Sequence, residues 1–580
     1  MASKLPSEIL SSIFSILETD SGTLFSCCLV SREWSLSAVY WLWKRPFHIC
    51  PPQNGTFLVR TYSKFLSNDS IFYEHSEQQP LFDYVYFLQH LNFHEIYEAA
   101  WHHYIFSGNW DHENDGYEVI SKYNSDETEE YGADEYESNV SDESDESNES
   151  DESDESDESD ESDESDESDI FYEYLDPNLK ILLKKGRKIN DDDYWILGNL
   201  LDDDVDHFKK RILSLTLELF QLFLLRSDKI ISLNLCTSEM EDGEIINQKW
   251  IDIFKLQNAT TALANIKKFV CGGLYDLQSI INIMINICHD IEILEIIFED
   301  VNKIYYSFLN LIKGQKNLKE LKIIAMNKQK FNEIIDSSLS YQSDSLRILH
   351  FEDCVFEKNI PFKELSLLRN LESLIWINCD IVNIQQRTSL DFSFPSLKNI
   401  HFDISLKNVS FLEVIESLIS NSMNLEEFCL IGNDICLSNI FNIIANNNFN
   451  IKILDIQVGA HNIKSIVPIF VQCQKLESIS LQMRILDEED LRETMTKLAE
   501  NIPKSLSNLN LMIHIKIDDL KAFFSHFDGL LKVFGFNTSS HFNIDIDEYA
   551  ERKGVNYRVI REKEGGDQCY IIFEYNNEGK

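Results

Sequence analysis

The chain has 580 residues, 98 of them acidic against 51 Lys and Arg, for a formal net charge of −47. That length exceeds one ordinary compact core, so several domains or one elongated repeat domain are expected. Acidity on this scale argues against nucleic acid as the main ligand, because phosphates are repelled, and no run reaches the ~18 uninterrupted apolar residues of a membrane span.

The N-terminus opens on Leu5-Pro6-Ser7-Glu8-Ile9-Leu10, with further apolar residues at Ile13, Phe14 and Leu17. This is helical spacing, with Ser7 near a capping position. Glu8 interrupts the apolar residues and no basic segment precedes them, so the segment does not read as a secretory signal. After Thr19-Asp20-Ser21-Gly22, a second helical pattern runs through Leu24, Phe25, Cys28 and Leu29. Val30-Ser31-Arg32-Glu33-Trp34 comes next, then a third apolar stretch, Val39 to Trp43. Three short helices make a very small core, and a unit of that size usually needs a partner over its apolar face.

The combination of Leu5, Pro6, Glu8, Ile9, Leu10, Ile13 and Phe14 with Leu29, Val30, Ser31, Arg32 and Trp34 resembles the F-box. The continuation Leu42-Trp43-Lys44-Arg45-Pro46-Phe47 is similar to that of many fungal F-box proteins. The resemblance implies that residues 1–50 bind a Skp-type adaptor, and through it a cullin scaffold. Its contact candidates are Leu5, Pro6, Ile9, Leu10, Ile13 and Phe14. Leu29 and Trp34 are expected to pack the small core instead.

Residues 51–123 read as a helical linker, with aromatics at Tyr84, Tyr86, Phe87 and Tyr97. His90 and His94 are four apart, with His102, His103 and His112 nearby, but no acidic or cysteine partner is fixed, so packing explains them and no metal site is assigned. Between Asp126 and Asp169 lie 25 acidic residues and no Lys or Arg. Residues 124–169 are therefore expected to be a disordered Ser-Asp-Glu tract, which buries too little apolar surface to offset ordering entropy. Its serines, at spacing three from Ser141 to Ser168, are followed by acids, an acidophilic-kinase pattern; a solvated spacer is the other reading. Residues 170–225 are expected to be helical and to lead into a repeat array that begins at residue 226. Lys184-Lys185-Gly186-Arg187-Lys188 reads either as a nuclear-import signal or as a counter-charge to the tract.

From residue 226 to 540 one pattern returns, apolar-x-x-apolar-x-apolar. Its copies begin at Ile230, Ile266, Ile291, Leu318, Leu346, Leu371, Leu397, Leu425, Ile451, Leu476, Leu506 and Leu531. The spacing resembles a leucine-rich repeat. Cys354, Cys379 and Asn433 occupy the repeat's Asn/Cys position, which gives them a structural role. The fold class expected is α/β: a small helical F-box, then a solenoid with parallel strands on its concave face and helices on its convex face. No repeat buries its own apolar face, so the array is stable only as a stack. Residues 541–580 carry two strand-like runs, Tyr557 to Arg561 and Cys569 to Tyr575, read as a capping hairpin.

The positions between the leucines form the concave surface. There His350, Glu352, His401, Asp403, Asp455, Gln457, Ser480 and Asn510 are candidate substrate contacts, a mixed and slightly acidic set suited to a protein or peptide with basic groups. The twelve cysteines include no CxxC pair, which points to reduced thiols. No phosphate loop, HExxH or GxSxG elbow is present. The chain thus reads as a non-enzymatic substrate receptor of a Skp–cullin–F-box ubiquitin ligase, with no cofactor, no nucleic-acid or membrane partner, and a cytoplasmic and/or nuclear location. The alternative is a ligase-independent scaffold built on the same repeats.

Overall fold

A computed structural model describes residues 5–51, 54–74, 80–106, 205–236, 251–273, 277–298, 301–326, 328, 338–357, 365–382, 393–404, 409–432, 438–447, 450–461, 466–485, 491–537, 546–561 and 568–575. The Ser-Asp-Glu tract, the Lys184–Lys188 cluster, His112 and Asn433 lie outside them.

The first three helices are α1 (Ser7–Ile16), α2 (Ser21–Cys28) and α3 (Arg32–Leu42). Pro6, not Ser7, caps α1, and it makes no side-chain cap bond. Asp20 caps α2 by accepting from Thr23 N at 2.9 Å, and Ser31 caps α3 by accepting from Trp34 N at 3.3 Å. Such caps satisfy donors that the first helical turn leaves unpaired. Leu10, Phe14, Leu24, Cys27 and Ala38 form a core separate from the rest of the molecule. Trp34 packs edge-on against Phe14, with ring centroids 5.6 Å apart.

Next come α4 (Pro46–Ile49), α5 (Gly55–Ser63), α6 (Tyr84–Phe87), strand β1 (His90–Asn92) and α7 (Phe93–Phe106). A side chain at Gly55 would put its Cβ 2.6 Å from that of Ala99, so only glycine lets α5 lie this close to α7. After α8 (Val205–Arg226) the strands succeed one another: β2 (Ser232–Cys236), β3 (Lys268–Gly272), β4 (Ile293–Phe298), β5 (Glu320–Ala325) and β6 (Ile348–Glu352). Then come β7 (Val355–Glu357), β8 (Ser373–Ile377), β9 (Asp380–Val382), β10 (Asn399–Ile404), β11 (Glu427–Gly432) and β12 (Ile453–His461). The last are β13 (Ser478–Ile485), β14 (Asn508–His514), β15 (Val533–Asn537), β16 (Val555–Arg561) and β17 (Gln568–Tyr575).

Apart from β7 and β9, which pair with each other, these strands form one 15-stranded sheet in the order β1-β2-β3-β4-β5-β6-β8-β10-β11-β12-β13-β14-β15-β17-β16. All neighbours up to β15 are parallel, and β17 and β16 close the end as an antiparallel hairpin. Helices pack in sequence along the other side, among them α9 (Gln257–Leu263), α10 (Leu277–Ile287), α11 (Val301–Gly314), α12 (Val409–Ser420) and α13 (Ser438–Asn447). The series continues with α14 (Val467–Gln472), α15 (Leu491–Asn501), α16 (Ile517–His526) and α17 (Asp547–Lys553). The product is a helical F-box joined to a leucine-rich-repeat solenoid.

Register obeys the apolar pattern. Leu233, Phe269, Leu294, Leu321, Leu349 and Leu374 face each other across successive strands. Ile400, Phe428, Leu454, Ile479, Leu509 and Phe534 continue the row, none of the twelve more than 1% exposed. A one-residue slip would turn this whole row to solvent, so one buried face fixes the register. Where the Asn/Cys position holds Gly459 instead, the β12–β13 register shifts between Gln457 and Ala460. Cys354 and Cys379 are buried and donate to strand carbonyls, Cys354 to Glu352 O at 3.3 Å and Cys379 to Ile377 O at 3.2 Å.

The sheet begins earlier than the sequence pattern places it. β1 pairs with β2 in parallel register, Leu91 opposite Leu233. Residues 51–123 are therefore not simply a helical linker: they supply the first strand and helix of the stack. Residues 107–204 are an insertion within the first repeat, between α7 and α8.

Two ladders run along the N-terminal ends of the strands. In the first, one carbonyl accepts two N–H groups from the next repeat: Lys267 and Lys268 donate to Ile231 O, and Glu292 and Ile293 to Lys267 O. The same arrangement reaches back to Ile231 and Ser232 donating to Gln89 O, and to Gln89 and His90 donating to Lys44 O. The second ladder is ionic. Glu292 pairs with Lys267 at 3.2 Å and Lys319 at 2.5 Å, Glu372 with Arg347 at 2.5 Å and Lys398 at 2.7 Å, and Glu426 with Lys452 at 2.6 Å.

Candidate functional site

Two exposed surfaces are candidates for contact with a partner. The first is the outer face of the N-terminal helices. Leu5, Ile9 and Ile13 recur every four residues on one side of α1, where they are 39%, 48% and 37% exposed, and Ile16 extends the stripe at 82%. Pro6 is exposed beside them and sets the start of the helix, its carbonyl accepting from Ile9 N and Leu10 N at 3.1 Å. Leu10 and Phe14, grouped with these residues on sequence grounds, lie on the opposite side in the core, at 1% and 0% exposed. They lie behind the exposed stripe and support it from within the core. Leu29 is corrected in the other sense: expected in the core, it is 74% exposed, whereas Trp34 is half-buried on Phe14. Phe25, Val30 and Leu36 are exposed as well, so this small unit leaves much apolar surface in water.

This unit is held firmly to the solenoid. Gln89 Nε2 donates to Tyr40 Oη at 2.6 Å, Trp43 stacks on Tyr84 at 4.0 Å, and Phe47 packs against Tyr62 at 5.6 Å and Phe223 at 5.8 Å. Lys44 Nζ lies 3.1 Å from Glu18 Oε1. His90 sits at this joint, and burial, aided by Lys44 and Arg45, pushes its imidazole down to about 4. His103 is likewise pushed to about 4, by burial and then Arg60. Among the described residues no group of three or more His, Cys, Asp and Glu is placed to hold a metal ion.

The second surface is the concave side of the sheet, where side chains between the buried leucines form three rows. The middle row runs Glu295, Lys322, His350, Ile375, His401, Cys429, Asp455, Ser480, Asn510 in register. The row beside it carries Ile324, Glu352, Ile377, Asp403, Ile431 and Gln457. All eight substrate-contact candidates, from His350 to Asn510, thus share one face. Lys322 lies between Glu295 at 3.4 Å and Glu352 at 3.3 Å. His350 Nε2 is 3.5 Å from Glu352 Oε2 without the alignment of a hydrogen bond. Burial, with Lys322 and His401 adding, pushes His350 down to about 4.

The face is more apolar than the polar set read from sequence. Ile324, Ile375, Ile377 and Ile431 are half-buried along it, Ile453 is exposed, and Ser373 is buried. The signal was present in the runs Glu320-Leu-Lys-Ile-Ile and Ser373-Leu-Ile-Trp-Ile. Their extra isoleucines fall on the outward positions of the alternation.

Residues 2–49 match a protein family described as F-box-like. No curated protein matches the chain. Among solved structures, an internalin from Listeria monocytogenes is similar, with 15% identity over 50% of this chain and 84% of that one, at a TM-score of 0.29.

Proposed function

We propose that this chain is the substrate receptor of a Skp–cullin–F-box ubiquitin ligase, of the kind found in fungi, working in the cytoplasm, the nucleus or both. The observation that carries the reading is the stripe Leu5, Ile9, Ile13 and Ile16, exposed on a domain that matches the F-box-like family. The adaptor covers that stripe, and the cullin is recruited through it. The repeats hold a substrate protein on the concave face. No bond is made or broken by the chain itself. Its contribution is proximity, raising the effective concentration of a substrate lysine near a charged ubiquitin carrier.

Co-purification with a Skp-type adaptor tests this. Wild type is expected to retain the adaptor, and a Leu5→Ala/Ile9→Ala/Ile13→Ala variant to lose it, with unchanged thermal unfolding of the repeats. Each truncated anchor is expected to cost about 2 kcal/mol of binding. Adaptor binding without adaptor-dependent substrate ubiquitination would instead favour a ligase-independent scaffold. Failure of wild type to bind would overturn the reading.

A further inference from the structure

The two halves of the concave face differ electrostatically. On β4 to β6 the carboxylates Glu295 and Glu352 are neutralised by Lys322 between them. From β8 to β15 the outward positions up to Gln482 on β13 carry no Lys or Arg among the described side chains; Arg484 lies beyond them at the C-terminal end of that strand. They carry Asp403, Glu427 and Asp455. Lys452 acts on Glu427, but Asp403 and Asp455 form no ion pair among the described residues.

Cys429 stands directly beside Asp455 on β12 and His401 on β10, with Asp403 one outward position further along β10, opposite Ile431. Burial, then Asp455 and Asp403, push its thiol up to about 12, so it stays neutral and the fields of both carboxylates converge over it. Strands lie about 4.8 Å apart, so two strand spacings leave roughly 10 Å between β10 and β12, room for one long side chain. Ile375, Ile377 and Ile431 flank the spot and offer aliphatic surface to the stem of such a side chain.

A second observation points the same way. Asp455 Oδ1, Asn510 Oδ1 and Asn537 Oδ1 are buried oxygens on this half with no hydrogen-bond partner among the described residues. Buried acceptors without donors are costly, and a ligand N–H that these side chains rotate outward to meet removes that cost. Asn510 Oδ1 packs over Gly535, where any Cβ would collide with it.

We propose that the face from β8 to β15 binds an extended basic segment of the substrate, seating a Lys or Arg over Cys429 between Asp403 and Asp455, with further N–H groups donated to Asn510 and Asn537. This rests on the reading of the repeats as the substrate surface. An extended segment of about ten residues covers these seven strands.

The test selects random ten-residue peptides, displayed on phage, against the intact chain. Enrichment of Lys or Arg flanked by aliphatic residues is expected. A synthetic copy of the top peptide should bind about tenfold or more weakly to Asp403→Asn/Asp455→Asn and weaken with added salt. Asp518→Asn, on the exposed first turn of α16, should bind it like wild type. Thermal unfolding shows that each variant is folded. No enrichment, enrichment without basic residues, or undiminished binding to the double variant would overturn the proposal. The same preparations are assayed for adaptor retention. Adaptor bound without basic peptides sinks this inference alone, and basic peptides bound without adaptor sink the ligase reading alone.

Discussion

Gln315 is 5% exposed, yet its amide is fully used. Its Nε2 donates to Cys288 O at 2.9 Å and Leu311 O at 3.0 Å, and its Oε1 accepts from Ile291 N at 2.9 Å. One repeat later Gln342 Nε2 donates to Ile312 O at 2.7 Å and to Gln315 O at 2.9 Å. These amides satisfy backbone groups where a helix ends and the next strand begins, the places a stacked repeat is most exposed to orphaned polar atoms. Gln315→Ala is therefore expected to destabilise the protein by about 2–4 kcal/mol, because several buried backbone groups lose partners at once. Equilibrium denaturation measures it; a loss within error of zero would mean that water replaces the amide. Neither glutamine was legible in the sequence, since a polar residue after a helix reads as solvated until its neighbours are known. The same limit acted on α1. Ile9, Leu10, Ile13 and Phe14 have similar hydropathy and cover both sides of the helix, so spacing alone did not divide core from surface.

At the scale of the elements, the ionic ladder binds repeats that the leucine rows already align. Its residues come directly after the first apolar position in nine successive copies: Lys267, Glu292, Lys319, Arg347, Glu372, Lys398, Glu426, Lys452 and Glu477. The signs alternate except at Lys319 and Arg347, which pair outward with Glu292 and Glu372 respectively. Hydrogen bonds from the flanking bases hold the Glu292, Glu372 and Glu426 carboxyls below the usual 4.5, while Glu426 holds Lys452 above the usual 10.5. A depressed carboxyl stabilises the fold above its unfolded value and loses that contribution as pH falls through the folded value. A raised lysine contributes below its unfolded value and loses it as pH rises through the folded one. Melting temperature should therefore drop below pH 4.5, and Glu372→Gln should shrink that drop by a small amount, the pairs being partly exposed. Identical acid limbs for variant and wild type would show that the ladder adds nothing measurable. The ladder was readable by aligning the copies, but at separations of 25 to 28 residues between neighbouring rungs no local window reveals it. The twelve tight copies were plain because one apolar spacing recurs. The copy before them, Leu88, Leu91 and Phe93, has the same spacing and is equally buried. It was missed because residues 107–204 intervene before its neighbour, so periodicity had nothing adjacent to match.

On the whole-molecule scale, Lys44 O accepts from Gln89 and His90 as each repeat's carbonyl accepts from the next. The F-box thus takes the place that a preceding repeat would hold, and it covers an edge that would otherwise present unpaired backbone groups. The β16–β17 hairpin does the same for the far end. The exposed apolar stripe of α1 and the outward face of the sheet are consequently parts of one stack. Phe93, at the start of α7, lies 6.4 Å from Phe220 of α8, and the two helices pack against each other. Replacing residues 107–204 with a short flexible linker should leave the melting temperature unchanged within about 2 °C, since loop length alters closure entropy only slowly. A large drop would mean that the insertion packs on the stack.

Phe106 and Val205 are joined in covalent sequence by the insertion, but in space by the buried α7–α8 seam and the β1–β2 pairing. Severed once there, the protein is expected to remain a single particle of two chains, with the F-box fragment bound as a subunit to the longer piece that carries the rest of the sheet.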